Sequence, residues 1–333
     1  MNLRRTAALA AVALLPALAV IVPSSSASAG GAQQEQMCLV SGGGQEQTVS
    51  RPSYAIDGLI NDTDSYRGLC AEYGERTRIG NGTLTAYSVR DGAQPKEVGL
   101  VMTDSALDNL PTDPPTEGKW CFDKDGNGSI DQVTECTGGY ENQLELSSSF
   151  KRRADTPFTY LLANWNPHGH IPVGVYDVPH FDVHFYTGTD AERTAIRVGP
   201  CPALTNCDDY ALGKKLPDAK YIAPDYIDVD AVEPAMGNHL VDPTSPEFNG
   251  SPFTRTWLYG VYNSKITFYE PMVTHQYFSG LRTGSINDGC FSFKQPSAFQ
   301  KTGWYPTKYC LRHRDNRGDI TVSMENFVHR DAS

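Results

Sequence analysis

The stretch Tyr176-Asp177-Val178-Pro179-His180-Phe181-Asp182-Val183-His184-Phe185-Tyr186 decides both how the chain folds and where its chemistry sits. Pro179 interrupts a helix, and polar and apolar residues alternate after it, so the run reads as a strand. Side chains alternate faces along a strand. His180, Asp182 and His184 therefore share one side, and Phe181, Val183 and Phe185 share the other. The apolar side packs on a core, and the polar side lines a cavity or meets solvent. Residues on one face recur about every 6.6 Å, too far apart for three neighbours to meet one ion unaided. Two donors from this strand joined by donors from elsewhere is the more natural geometry.

The other donors lie to either side. Four of the eight histidines fall between Asn164 and Tyr186, and imidazole is the commonest neutral metal ligand. His168 and His170 stand in a Pro/Gly-bounded loop before the strand, and His239 follows Met236-Gly237-Asn238. Glu270 ends the strand-like Lys265-Ile266-Thr267-Phe268-Tyr269. A carboxylate in so apolar a strand needs a partner if it is buried, either a metal or an imidazole N–H. His168, His170, His180, Asp182, His184, His239 and Glu270 are thus the candidate ligands for a divalent transition metal, Zn, Fe, Mn or Cu. The competing reading is a hydrogen-bonded network of His, Asp and Tyr without metal.

Strand signals dominate elsewhere. Arg76–Ile79 and Thr83–Val89 flank the turn Gly80-Asn81-Gly82, a hairpin pattern. Thr159–Asn164, Thr256–Tyr262, Lys265–Val273 and Ile320–Val328 are rich in β-branched and aromatic residues, and Asn263-Ser264 suggests a second hairpin. One clear short helix is expected near Asp104–Leu110, stopped by Pro111. Residues 30–50, rich in Gly, Gln and Ser, are expected to be mobile. The sum is a mainly β fold, a sandwich or barrel with long irregular loops and few short helices. A polar break near 150 divides an N-terminal β-rich subdomain (30–150) from a β-rich domain carrying the histidines (151–333), within one compact body.

Residues 1–29 read as a secretory signal peptide: Arg4 and Arg5, the apolar stretch Ala7–Val22 and the cleavage site Ala27-Ser28-Ala29. No later apolar run is long enough to span a bilayer. The expectation is a secreted, extracellular protein without membrane insertion. All eight cysteines lie beyond the leader. An even count in an exported chain reads as disulfides, and neighbour-with-neighbour pairing gives 38–70, 121–136, 201–207 and 290–310. Net charge is −11, and −13 once Arg4 and Arg5 leave with the leader, which argues against nucleic acid as a partner.

Asp123-Lys124-Asp125-Gly126-Asn127-Gly128-Ser129-Ile130-Asp131 resembles the first nine positions of an EF-hand loop, with Asp123, Asp125, Asn127, Ser129 and Asp131 as candidate calcium ligands. Thr134 stands where the twelfth-position acid belongs, and Glu135 comes one residue late. The alternative is an Asp/Asn/Gly turn with no ion. G-x-S-x-G, a Walker loop and G-x-G-x-x-G are all absent.

His168-x-His170 with Pro172-x-Gly174 resembles the opening of a cupin motif, but Gly174 and Val175 stand where cupins carry Glu, and Asp177 where they carry His. The chain also resembles a family of exported bacterial proteins of unknown function. The resemblance rests on Asn164-Trp165-Asn166-Pro167-His168-Gly169-His170, Pro179-His180-Phe181-Asp182-Val183-His184-Phe185-Tyr186, Met236-Gly237-Asn238-His239 and Phe268-Tyr269-Glu270-Pro271-Met272. It implies a β-rich body, admits a homo-oligomer and supplies no activity. Two functions stay open: a secreted metal-binding module without catalysis, whose coordination would be saturated, or an extracellular metalloenzyme (oxygenase, oxidase or hydrolase) with an exchangeable position.

Overall fold

The structure is a computed structural model describing residues 33–115, 120–131, 134–137 and 139–333. The leader reading of residues 1–29 lies outside them. Chain order is β1 (Gln34–Val40), β2 (Glu46–Pro52), α1 (Ser53–Asp62), β3 (Tyr66–Arg67), β4 (Glu72–Ile79), β5 (Gly82–Asp91), β6 (Gln94–Thr103), β7 (Tyr140–Glu145), α2 (Ser148–Arg153), β8 (Tyr160–Asn166), β9 (His180–Tyr186), α3 (Asp190–Thr194), β10 (Val198–Cys201), α4 (Cys207–Gly213), β11 (Ile227–Glu233), β12 (Gly237–Val241), β13 (Arg255–Tyr262), β14 (Lys265–Thr274), α5 (His275–Arg282), β15 (Gly289–Ser292), β16 (Gly303–Tyr305), β17 (Lys308–Arg314), β18 (Asp319–Glu325) and β19 (Val328–Arg330).

Two antiparallel sheets form a sandwich. One has seven strands in the order β11-β12-β13-β14-β9-β8-β7, and the other six in the order β15-β17-β18-β6-β5-β4. Among the described residues there is no closed barrel. The six-stranded sheet joins strands from both sides of residue 150, since β18 pairs with β6. Phe181, Val183 and Phe185 of β9 meet Leu84, Leu100 and Val322 of the opposing sheet in one hydrophobic core. A fully buried Phe of this kind contributes roughly 1.5–3 kcal/mol. The strand alternation of β9 is thus realised, with its apolar side between the sheets.

Antiparallel sheets commonly leave their second face to solvent. Here that face of the seven-stranded sheet is covered by long loops. Tyr176, from the loop joining β8 to β9, packs with Phe253, Leu258 and Met272, and its hydroxyl donates to Glu247 Oε1 at 3.2 Å. A polar strand face is thereby buried, and this cover creates the site.

The cysteines pair as 38–70, 121–136, 201–207 and 290–310. Two local expectations give way. Residues 34–52 form the β1–β2 hairpin, which the Cys38–Cys70 disulfide and β3 hold in place, so composition understated their order. The helix expected over Asp104–Leu110 is one 3-10 turn, Asp104–Leu107. Among the described residues there are five short α-helices, in keeping with the few short helices expected; their apolar faces are too short to register individually as a period. No helix among the described residues is long and apolar enough to cross a membrane.

Candidate metal centre

The polar face of β9 divides between two groups. His180 Nε2 lies 3.1 Å from Asp182 Oδ1, and His170, from the β8–β9 loop, brings its Nε2 to 3.4 Å from Asp182 Oδ2. His184, two residues further on, turns instead to Glu270 of β14, Nε2 to Oε1 at 3.3 Å. His239 of β12 completes that second group, its Nε2 3.9 Å from Glu270 Oε2. Within each group the donor atoms lie within 4.8 Å of one another.

Glycines make both groups reachable. His239 stands two strands away from Glu270, and its neighbour on the intervening β13 is Gly260. A Cβ on Gly260 would come within 2.1 Å of the Phe268 ring. The bare backbone lets Phe268 lie over β13 beside His239, with ring centroids 5.0 Å apart. In the β8–β9 loop Gly169 adopts φ +69°, and a Cβ there would stand 2.1 Å from the Tyr176 carbonyl. This is backbone that glycine tolerates, and it returns the loop so that the His170 N–H donates to Tyr176 O at 3.1 Å.

All four imidazoles are oriented alike. His170 Nδ1 lies 2.7 Å from Ile171 O, His180 Nδ1 2.6 Å from Val178 O, His184 Nδ1 3.3 Å from Leu162 O, and His239 Nδ1 3.1 Å from Ala231 O. A carbonyl only accepts, so each Nδ1 carries a proton, and in the neutral ring Nε2 presents a lone pair. This main-chain anchoring is the orientation that metal-binding histidines show. His180 Nε2, Asp182 Oδ1, His184 Nε2 and Glu270 Oε2 are buried and make no hydrogen bond, despite their closeness to opposite partners. Donors 2.0–2.1 Å from a tetrahedral ion lie about 3.3 Å apart, which is the scale of these separations.

The two groups differ in electrostatics. Burial alone would push the Asp182 carboxyl up, but His180 and His170 outweigh it and hold Asp182 well below the usual carboxylate range. Burial works against the His170 cation, yet Asp182 raises its pKa to about 9. In the second group burial prevails. It lowers His184 to about 3, helped by the charge of His239. It also lifts Glu270 well above its ordinary value, aided by negative charge on Asp182 and Glu233.

A cavity of about 850 Å³ opens beside the first group, with His170, Asp182, Asn164, Glu233 and His239 in its wall. His180, His184 and Glu270 lie beneath that wall, Glu270 only 1 % exposed. The volume is within the range of small-molecule sites. His168 also lines the cavity but is exposed and belongs to neither group. Six of the seven sequence candidates are brought into two groups. Two cavity residues were not anticipated. Asn164 shares the polar face through the alternation Asn164-Trp165-Asn166, a signal present in the sequence. Glu233 depends on the pairing of β11 with β12, which local sequence does not reveal.

The acidic loop is separate. Asp123, Asp125 and Glu135 bring carboxylate oxygens together, so the late acid joins the group. Asp123 accepts from the N–H groups of Gly126, Asn127 and Gly128, and Glu135 from those of Lys124, Asp125 and Asp131. These bonds lower the Glu135 pKa, the Asp131 N–H most of all. The Asn127 and Ser129 part of the loop is exposed, with the Asn127 side chain turned to Asp125 Oδ2 and the Ser129 N–H. Asp131 accepts from the Thr134 N–H.

No family model, no curated protein and no solved structure matches this chain.

Proposed function

We propose that this is an exported metalloenzyme holding a divalent transition metal at His170, His180 and Asp182, with His184, His239 and Glu270 as a second, more deeply buried metal group. The supporting observation is the common set of the four imidazoles: every Nδ1 is spent on a main-chain carbonyl, and every Nε2 faces a carboxylate oxygen at ligand-to-ligand distance. A purely hydrogen-bonded network would satisfy its buried atoms, and four of them, His180 Nε2, Asp182 Oδ1, His184 Nε2 and Glu270 Oε2, have no hydrogen-bond partner. The cavity favours an enzyme over a saturated binding module. Three protein donors beside open space leave a position for water or substrate, the arrangement of catalytic sites. Zinc there would supply an activated water, and Fe, Mn or Cu redox chemistry. The chain's own part is to orient the donors, exclude bulk water under the Tyr176 loop and keep Glu233 in the wall. The Asp123 loop is proposed as a calcium site of structural role.

Elemental analysis of protein purified through its secretion route without added metal tests the reading. We expect about one transition-metal ion per occupied group, fewer in His180→Ala, and fewer again when His239→Ala is added. Equal metal content in wild type and both variants would sink it and leave a structural network.

A further inference from the structure

We propose that Asn164 is a fourth protein donor at the Asp182 group and makes that site favour an oxygen-seeking ion, Mn²⁺ or Fe²⁺, over Zn²⁺. The inference rests on the metal reading above and deepens it. Asn164 is 2 % exposed, yet its Oδ1 has no hydrogen-bond partner. Its place is fixed by register: Asn164 of β8 lies directly opposite Asp182 of β9. Such cross-strand side chains start about 4.5–5.5 Å apart at Cβ. Both residues line the same cavity as His170.

The neighbouring amide shows what an asparagine here does when it has a partner. Asn166 lies opposite His180, and its Nδ2 donates to Asp182 Oδ2 at 2.6 Å. That bond orients the carboxylate and occupies Oδ2, leaving Oδ1 unpaired beside His180 Nε2. Asn164 therefore adds a second buried, unpaired oxygen on the sheet face that carries Asp182 Oδ1 and His180 Nε2.

An amide oxygen is a hard, neutral donor like a backbone carbonyl. With it the set becomes two imidazole nitrogens, one carboxylate and one amide oxygen. Four protein donors would close a tetrahedral Zn²⁺ site. A six-coordinate ion would keep two positions for water or substrate, and the cavity has room for both. Oxygen ligands and six-coordination are the preferences of Mn²⁺ and of Fe²⁺ in open His/carboxylate sites, whereas Zn²⁺ is content with three protein ligands and water.

The test uses the mature protein carrying His239→Ala, so that only the Asp182 group is read. Mn²⁺ binding is followed by loss of the free-ion electron paramagnetic resonance signal, and Zn²⁺ binding by competition with a chromophoric chelator. Asn164→Ala is expected to weaken Mn²⁺ by at least about tenfold and Zn²⁺ by less than about threefold, because oxygen ligation selects the harder ion. Asn164→Asp carries the test if the alanine variant does not fold. A carboxylate bound to the ion shifts the Mn²⁺/Zn²⁺ ratio, whereas a charge merely nearby raises both affinities together. An unchanged ratio in either variant overturns the role of Asn164. Undiminished metal binding after His180→Ala is added overturns the metal reading itself, a separate outcome.

Discussion

The two histidine–carboxylate groups begin one residue pair apart on the same face of the same strand, yet they are different environments. The Asp182 group draws His170 from a loop and opens into the cavity. The Glu270 group takes its donors from β9, β12 and β14, with His184 packed against Phe268 at 4.8 Å between ring centroids. Around Asp182 the charges are held: an ionised carboxylate against a raised imidazole. Around Glu270 burial suppresses them: a neutral His184 against a carboxyl pushed toward its protonated form. The ligand types are nearly the same. What distinguishes the groups is the cover over the sheet: His170 and Asp182 both stand in the cavity wall, whereas His239 alone of the second group does.

The largest expected effect sets the groups apart by stability. His184→Ala removes a wholly buried ring and leaves Glu270 with only the more distant His239, and we expect a loss of about 3–5 kcal/mol together with the ion of that group. His170→Ala should remove the ion of the Asp182 group at a cost of only about 1 kcal/mol, because a partly exposed loop side chain carries little packing. Urea unfolding with metal analysis reads both. Equal stability losses would erase the distinction between a structural and an exchangeable ion.

Exchange kinetics sharpen the same contrast. A chelator should strip the Asp182 group directly through the cavity, where His170 and Asp182 both stand, but the Glu270 group at least about tenfold more slowly, because His239 alone of its donors reaches the cavity wall and His184 and Glu270 are released only by local opening. Two phases in metal release are expected, with the fast phase missing from His170→Ala and the slow phase missing from His239→Ala. A single phase lost in both variants would mean one shared site.

Much of this was legible in the sequence, and what was not has a common physical cause. Alternation in Pro179–Tyr186 placed His180, Asp182 and His184 on one face, and the period-2 reading needs nothing beyond the strand itself. Hairpins around Gly80–Gly82 and Asn263–Ser264, and the neighbour pairing of the cysteines, are equally local. The division into two groups is not local. It depends on β14 lying beside β9 in a register that sets Met272 opposite Asp182 and Phe268 opposite Tyr186, which brings Glu270 to His184. It depends as well on Gly260, whose missing side chain lets His239 approach from β12. Residues 34–52 form an ordered hairpin because β1 pairs with β2 and the expected Cys38–Cys70 bridge ties it down, and composition taken alone registers neither. Asn164 was legible in principle, since Asn164-Trp165-Asn166 alternates as β9 does, but an amide draws attention as a ligand only once its oxygen is seen to be buried and unpaired.

Gly260→Ala tests whether the more deeply buried group depends on that one missing side chain. The added methyl must displace Phe268, and overpacking of this kind costs about 1–3 kcal/mol. Because Phe268 packs against both His184 and His239, the slow-release ion should bind more weakly while the fast-release ion is unchanged. Equal weakening at both would show that the groups share more of their support than the sheet geometry implies.

The smallest effect belongs to the acidic loop, which tests whether cover is needed for a metal site at all. Asp123, Asp125 and Glu135 converge in a loop whose Gly126–Asp131 part is exposed, and the carboxylates of Asp123 and Glu135 already accept backbone N–H groups. The loop is therefore held in shape by its own hydrogen bonds and by the Cys121–Cys136 disulfide, and an ion has little folding left to supply. Calcium at ten times its dissociation constant would add about 1.4 kcal/mol by mass action, a rise of roughly 2–5 °C in melting temperature for a chain of this size. The rise should vanish in Asp123→Asn and persist in His184→Ala, because the loop and the histidine face share no ligand. Calcium stabilisation that survived Asp123→Asn but disappeared with His184→Ala would move the calcium to the sheet face and break the division between a self-satisfied loop and an unsatisfied, buried pair of groups.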